Sequence, residues 1–430
     1  MKVLKSFELN AFGGINFVFE HLNELGFGEL FESHLPVLSP QAQYSWRDIF
    51  YSLFSIYFTG GDAIEDINSV LREQLKDVPF FNITSSDTVL RRMMELDEGE
   101  IKCKTPRGKV EHRLAPNSLL MELSIQVLNK LGVFDSEKLV IDYDNSIIPT
   151  EKKDSAFTYK KYPGYQPGVV TLNEKYLLSV ENRSGNSDAK SCQVDTLRRT
   201  FEALRKHNPS QKFDYFRADA ASYQYEVVKL VEQHTTYFYI GSREDYVGKY
   251  FKEVKEWKEA KDTTGETIWL GETTFTPFEQ RASKSELNSY RLIVKRKANK
   301  NGQLNIFTGD AFDYTVMFTN DIDRDIFEAK DFYNQRGNME RTFDVLKNDF
   351  GWANLPFSKL SQNTVFLYLT AIASNLYNML IEHFSKIVKG LKPKFRIKKF
   401  IYNFIIMPAK WIKHAGQYHL KVFRDIQFVT

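Results

Sequence analysis

A chain of 430 residues, 42% hydrophobic and 26% charged, is long enough for two or three domains around substantial cores, which excludes a disordered or fibrous protein. Its formal net charge of +3 is too small to announce a nucleic-acid partner, so only the distribution of charge can argue for one. The two cysteines, Cys103 and Cys192, lie far apart without CxxC spacing and the eight histidines form no ligand cluster, so neither a disulfide framework nor a zinc site is suggested.

The first ten residues have no long apolar core and do not read as a signal peptide. The first 115 or so residues read as mostly helical. Trp46 to about Tyr57 forms an apolar-rich helix, Gly60 and Gly61 break it, and a second helix from Asp62 runs through Ile64, Ile67 and Leu71. Ser85 to Met94 then reads as a capped helix carrying Arg91 and Arg92, whose short polar cap followed by basic residues suits the recognition helix of a helix-turn-helix. The alternative is that Val89, Leu90 and Met93 are core and the arginines are solvated. The basic stretch Lys102, Lys104, Arg107, Lys109 and Arg113, around Pro106 and Gly108, reads as an inter-domain linker that could lie along DNA.

Residues 138 to 148 read as a strand whose alternation sends Val140, Asp142, Asp144 and Ser146 to one face. Two carboxylates inside such an apolar run are expensive unless they bind something, the alternative being an edge strand with a solvated face. Strands are expected at 169–172 and 176–181, then a helix over 189–206. The strand from Phe213 ends in Asp219, which either contributes an acid or caps the following helix, 222 to about 234. Another strand spans 236–240, and alternating runs at 267–270, 273–275, 290–295, 304–308 and 314–318 predict a β-rich insertion.

The most informative stretch is 332–347. On a helix turning about 100° per residue, Tyr333 lies roughly 20° to one side of Glu340, Arg336 roughly 40° to the other, and Lys347 about 20° from Glu340 two turns on. Met339, Phe343, Leu346 and Phe350 form a separate apolar stripe. An exposed ion-pair face, with Arg336 and Glu340 four residues apart, is the plain alternative. A working face that binds metal and phosphate needs further carboxylates, since Mg²⁺ is held by one or two carboxylates plus substrate oxygens and water. Asp144 and Asp219 are the candidates.

Val365 to Ile381 approaches membrane length, but Thr370, Ser374, Asn375 and Asn378 argue for a buried helix packed on the core, and no membrane association is expected. From Lys386 to Lys413 the chain carries nine basic residues and no acid, with Phe395, Phe400, Tyr402 and Trp411 interleaved, a pattern that could hold phosphates and stack on bases or could be solvated surface.

Tyr333, Arg336, Glu340 and Lys347 match the Tyr-x2-Arg-x3-Glu-x6-Lys signature, and the chain resembles the DDE transposases of bacterial insertion sequences from about Leu139 to Phe350. The segments Tyr159 to Tyr165 and Glu181 to Asn186 look like one subfamily of them. The resemblance implies an α/β fold with a ribonuclease-H-like core, a mixed sheet flanked by helices. It divides the chain into a helical DNA-binding domain (1–115), the first part of the catalytic domain (116–241), a β-rich insertion (242–328), the rest of the catalytic domain (329–385) and a basic C-terminal region (386–430). It makes Asp144, Asp219 and Glu340 the catalytic, metal-holding acids, with Asp142 able to replace or assist Asp144. Tyr333, Arg336 and Lys347, with Arg91 and Arg92, become the DNA contacts.

The implied cofactor is two Mg²⁺ ions, with Mn²⁺ as a substitute, since a metal pair serves both the attacking and the leaving oxygen of phosphoryl transfer. The implied activity is cut-and-paste excision and strand transfer at inverted-repeat ends, through a hairpin, by a homodimer on double-stranded DNA in the bacterial cytoplasm and nucleoid. In hairpin-forming relatives a tryptophan of the insertion holds a flipped base; Trp257 and Trp269 are candidates, the alternative being sheet positions. A non-cleaving transposase-derived repressor and a structure-selective nuclease of the same fold are the other readings.

Overall fold

The computed structural model describes residues 9–104, 111–281, 283 and 287–424. The chain begins with α1 (Ile15–Glu24), α2 (Phe27–His34) and α3 (Trp46–Thr59). Ser45 and Asp48 cap α3 reciprocally, and Gly60, at φ 95°, ends it. The expected second helix from Asp62 is shorter than predicted. The Asp66 carboxylate accepts the N–H groups of Asp62 and Ala63 and holds that stretch as a turn. Helical structure resumes as a π-turn over 67–71 leading into α4 (Arg72–Leu75). Ser85 caps α5 (Ser86–Met94), whose Val89 and Met93 are buried.

The segment read as a linker is a hairpin instead. β1 (Ile101–Lys104) pairs antiparallel with β2 (Glu111–Ala115); residues 105–110, with Pro106, Arg107, Gly108 and Lys109, lie outside the described residues. His112, Leu114 and Ala115 are buried, and through Leu114 and Ala115 β2 pairs with the strand over 176–183. Cys103 on β1 is joined by a disulfide to Cys192, which corrects the expectation that no such bond forms. Sequence distance hid it, because strand pairing brings a hairpin beside a segment 89 positions away.

After α6 (Ser118–Lys130) come β3 (Val140–Asn145), β4 (Ile148–Pro149), β5 (Ala156–Phe157), β6 (Pro163–Tyr165), β7 (Gly168–Leu172) and β8 (Tyr176–Arg183). Helix α7 (Gln193–His207) starts later than expected, because Asp188 accepts from Lys190 N–H and the Ser191 hydroxyl and fixes a turn ahead of it. β9 (Phe213–Ala218), α8 (Tyr225–His234), β10 (Thr235–Ser242) and α9 (Glu244–Val247) follow. The insertion supplies β11 (Lys258–Lys261), β12 (Thr267–Phe275), β13 (Tyr290–Ala298) and β14 (Phe312–Thr319). Residues 304–308 are not a strand; the Asn305 side chain accepts from Phe307 N–H and holds a turn. Then come α10 (Ile326–Asn334), α11 (Asn338–Asp349), α12 (Leu360–Ile387), α13 (Ile397–Phe400) and the hairpin of β15 (Ala409–His414) with β16 (Gln417–Val422).

Among the described residues, eleven strands form one mixed sheet in the order β1-β2-β8-β7-β3-β9-β10-β14-β13-β12-β11. β3, β9 and β10 run parallel, while β14 joins β10 antiparallel, so the insertion extends the central sheet as a meander. Period-two alternation sorts the apolar residues to two faces. Phe238, Ile240, Leu292, Val294, Val316 and Phe318 face the main core, and Tyr239, Ile293 and Met317 face a smaller one closed by Ile326, Ala329 and Phe332 of α10. The main core runs on into α1 to α3 and α12.

The 28-residue helix α12 is buried along most of its length, as its polar residues implied. Asn375 accepts from Leu177 N–H and donates to Leu177 C=O, using its amide as a strand partner for β8. The basic C-terminal segment is in part structural. Arg396 ion-pairs with Asp344 and Asp349, Phe400 is fully buried, Phe395 packs on the core, and Trp411 Nε1 donates to Asn16, so of the four interleaved aromatics Tyr402 is the exposed one.

Candidate active site at the ends of the central parallel strands

The parallel register pairs Asp142 with Arg217 and Tyr143 with Ala218, so Asp144 and Asp219 come next on neighbouring strand ends. Val140, Asp142 and Asp144 share the α10 face, as alternation predicts. Burial, together with the charge of Asp219, raises the Asp144 carboxyl to about 6, although Arg336 and the Asn145 N–H pull it down. Arg336 Nη1 lies 2.9 Å from Asp144 Oδ2. Asp219 Oδ1 accepts from Ala221 N–H at 3.0 Å and caps a 3-10 turn over 220–222, so it is a cap as well as a site acid, but not the cap of α8.

The signature is not one continuous helix. Residues 335–337 form a 3-10 turn between α10 and α11. Gly337 and Asn338 are poor helix formers, and three residues in a 3-10 turn advance about 120° each, roughly 60° more in total than an α-helix would give. Tyr333 and Arg336 therefore point at the two aspartates, whereas Glu340, in the first turn of α11, is exposed. Among the described residues no three His, Cys, Asp or Glu side chains come together as a metal cluster. Asp144 and Asp219 do meet, and Glu340 stands apart from them on the neighbouring helix.

Tyr333 lies with its hydroxyl 3.4 Å from Ala218 C=O, in a space kept open by Gly241 on β10. A Cβ at Gly241 would sit 2.5 Å from Tyr333 Oη and 2.9 Å from Ala220 N. Gly241→Ala is therefore expected to displace Tyr333 and to destabilise the fold by about 1–3 kcal/mol, as overpacking does, measurable by denaturant unfolding.

Lys347 is half-buried on α11, and burial, then the nearby Lys160, pushes its ammonium pKa down. Two converging cations of this kind suit a phosphate. Asp142 is not available as a ligand: it is fully buried and receives both Nε and Nη2 of Arg217. Arg91 is exposed on α5, and Arg92 pairs with Glu95 at 2.7 Å. Trp257, just before β11, and Trp269, on β12, are half-buried and flank Arg296, whose guanidinium lies 3.9 Å from the Trp257 ring and 5.9 Å from that of Trp269.

Residues 9–414 match the sequence profile of the family described as Transposase DDE domain group 1. The chain belongs to the DDE transposases. Among curated proteins none matches the chain. The transposase thus presents two acids, an arginine and a tyrosine at the ends of its central strands, with a third acid on the next helix. Sequence reasoning missed Arg217, Glu174, Lys160 and Gly241. Strand alternation puts Arg217 on the face of Asp219, two residues on, but does not show that it is buried against Asp142.

Proposed function

We propose that this transposase cuts and joins phosphodiester bonds at the inverted-repeat ends of an insertion sequence, by cut-and-paste excision and strand transfer, with Asp144, Asp219 and Glu340 as its catalytic acids. The observation that carries the reading is the placement of Asp144 and Asp219 next to each other on adjacent parallel strand ends, where burial, with the charge of Asp219 added, raises the Asp144 carboxyl to about 6. The order β8-β7-β3-β9-β10, with the last three parallel, supports a ribonuclease-H-like core.

Crowded carboxylates of this kind fit a divalent cation, which removes the repulsion that burial intensifies. Asp144 and Asp219 would hold Mg²⁺, or Mn²⁺ in its place, as a pair of ions with Glu340 as the third ligand. Bound there, the metals supply an activated nucleophile and relief of charge on the leaving oxygen. The residues of the chain position the substrate. Arg336 offers a planar fork to a phosphate, Tyr333 orients beside the strand end, and Lys347 with Lys160 grips the backbone as point charges. Arg91 and Arg92 on α5 contact the repeat. The working form is a homodimer on double-stranded DNA in the cytoplasm, and hairpin formation is its second-strand route.

Purified protein incubated with Mg²⁺ and a labelled fragment carrying the element's own end should release a cut strand and then a hairpin. Binding without cutting would favour a repressor, and cutting of branched DNA irrespective of sequence would favour a nuclease. Lys347→Ala is expected to weaken end binding about equally for all sequences and to reduce the log–log salt slope by about 1, as loss of one phosphate contact does; filter binding across a salt series measures it.

A further inference from the structure

One guanidinium joins the strands that lead to Asp144 and Asp219 and reaches the helix of Glu340 through Glu174. The Arg217 side chain is fully buried on β9, two residues before Asp219. Its Nε and Nη2 donate to the two oxygens of Asp142 at 2.7 and 2.8 Å, and Asp142 stands two residues before Asp144 on β3. Its Nη1 donates at 2.7 Å to Phe332 C=O, the carbonyl just before Tyr333, and the guanidinium lies 4.7 Å from the centre of the Phe332 ring. Nη2 also donates at 2.6 Å to Glu174 Oε1. Glu174 in turn reaches α11, accepting from Asn338 Nδ2 on Oε2 and from the Thr342 hydroxyl on its main-chain oxygen.

Glu174 occupies this place against local preference. It follows Asn173 at the tip of the β7–β8 hairpin, and both have positive φ, 52° and 63°. A turn with two positive φ values favours glycine at its second position. A glutamate there is held by what its carboxylate does.

The geometry points to Arg217 as a positioning residue that sets the spacing of Asp144, Asp219 and the α10–α11 signature segment, with Glu174 as its link to the helix bearing Glu340. The assignment rests on the reading of those three acids as the metal ligands. A lysine cannot replace Arg217, because a point charge does not offer four directed N–H bonds to three partners. Asp142 is consumed in the same device, which accounts for a second buried carboxylate one pleat behind Asp144.

The test uses full-length protein and Mn²⁺ alone as the probe, with binding read from the electron paramagnetic resonance signal of free Mn²⁺ and folding read from the melting temperature in chelator. Glu174→Gly is expected to weaken Mn²⁺ binding by about 10–100-fold, the range for loss of a group that orients metal ligands, while its melting temperature stays close to that of the wild type, because relief of the turn conformation offsets the loss of one partner of Arg217, which keeps Asp142. Arg217→Lys is expected to weaken binding at least as much. Wild-type Mn²⁺ affinity in both variants, or a loss in Glu174→Gly that follows a fall in melting temperature, overturns the positioning role. Asp144→Ala and Asp219→Ala run alongside. If they too bind Mn²⁺ as the wild type does, the metal-site reading itself fails and Arg217 has nothing to position; if they lose binding while Glu174→Gly and Arg217→Lys keep it, the site stands and Arg217 is scaffold.

Discussion

Replacing Asp144, Asp219 or Glu340 with alanine is expected to lower cleavage of an end fragment by at least about 10³-fold, since a metal-stabilised transition state draws several kcal/mol from its ions and about 4 kcal/mol is roughly a thousandfold. End binding should stay within about threefold of wild type, because phosphate contacts, the role proposed for Arg336 and Lys347, carry most of the affinity for DNA. Gel-shift and cleavage assays on the same preparations separate the two. The three variants also differ in what they test. Asp144 and Asp219 already lie close to each other beside Arg336, so loss of cutting there needs no rearrangement of the two acids. Glu340 is exposed on α11, so loss of cutting in Glu340→Ala requires that α11 bring it to the aspartates on DNA. Normal cutting by Glu340→Ala would remove that residue from the site and leave the other two.

The strands bearing the two aspartates were legible because the signal was local. β-branched and aromatic residues with polar ones at every second place can satisfy a half-buried strand in only one register. The long buried helix was legible for a similar reason, its amides marking it as a partner for protein and not for lipid. The signature was misread as a continuous helix because spacing of three and four residues does not reveal a 3-10 turn, even where Gly337 and Asn338 weaken the helix. Arg217 and Glu174 went unseen because a buried ion pair is a tertiary event, and a lone arginine in a strand looks like any surface cation. The Cys103–Cys192 bond was invisible for the same cause, being set by which strand the 101–115 hairpin pairs with. The structural share of the basic run from Lys386 was not legible, since charge and aromatic content do not say which residues face inward.

Arg396→Ala should show what that run does for the fold. Asp349 at the end of α11 has a fully buried side chain, and its partners are Arg396 Nε at 2.8 Å and Lys398 Nζ at 3.5 Å, with Arg396 Nη1 also reaching Asp344. Removing one partner of a buried ion pair leaves a charge without compensation and costs about 3–5 kcal/mol. Arg396 itself is 39% exposed and Lys398 remains, so the expected loss is smaller, about 2 kcal/mol. Denaturant unfolding measures it, and the double variant Asp349→Asn with Arg396→Ala should recover part of it, because the buried charge is then gone. A surface cation that only met DNA would behave oppositely, leaving stability within about 0.5 kcal/mol and lowering end binding. The expected pattern, destabilisation with end binding intact in the folded fraction, would place Arg396 as the staple that holds the C-terminal segment against the helix carrying Glu340 and Lys347.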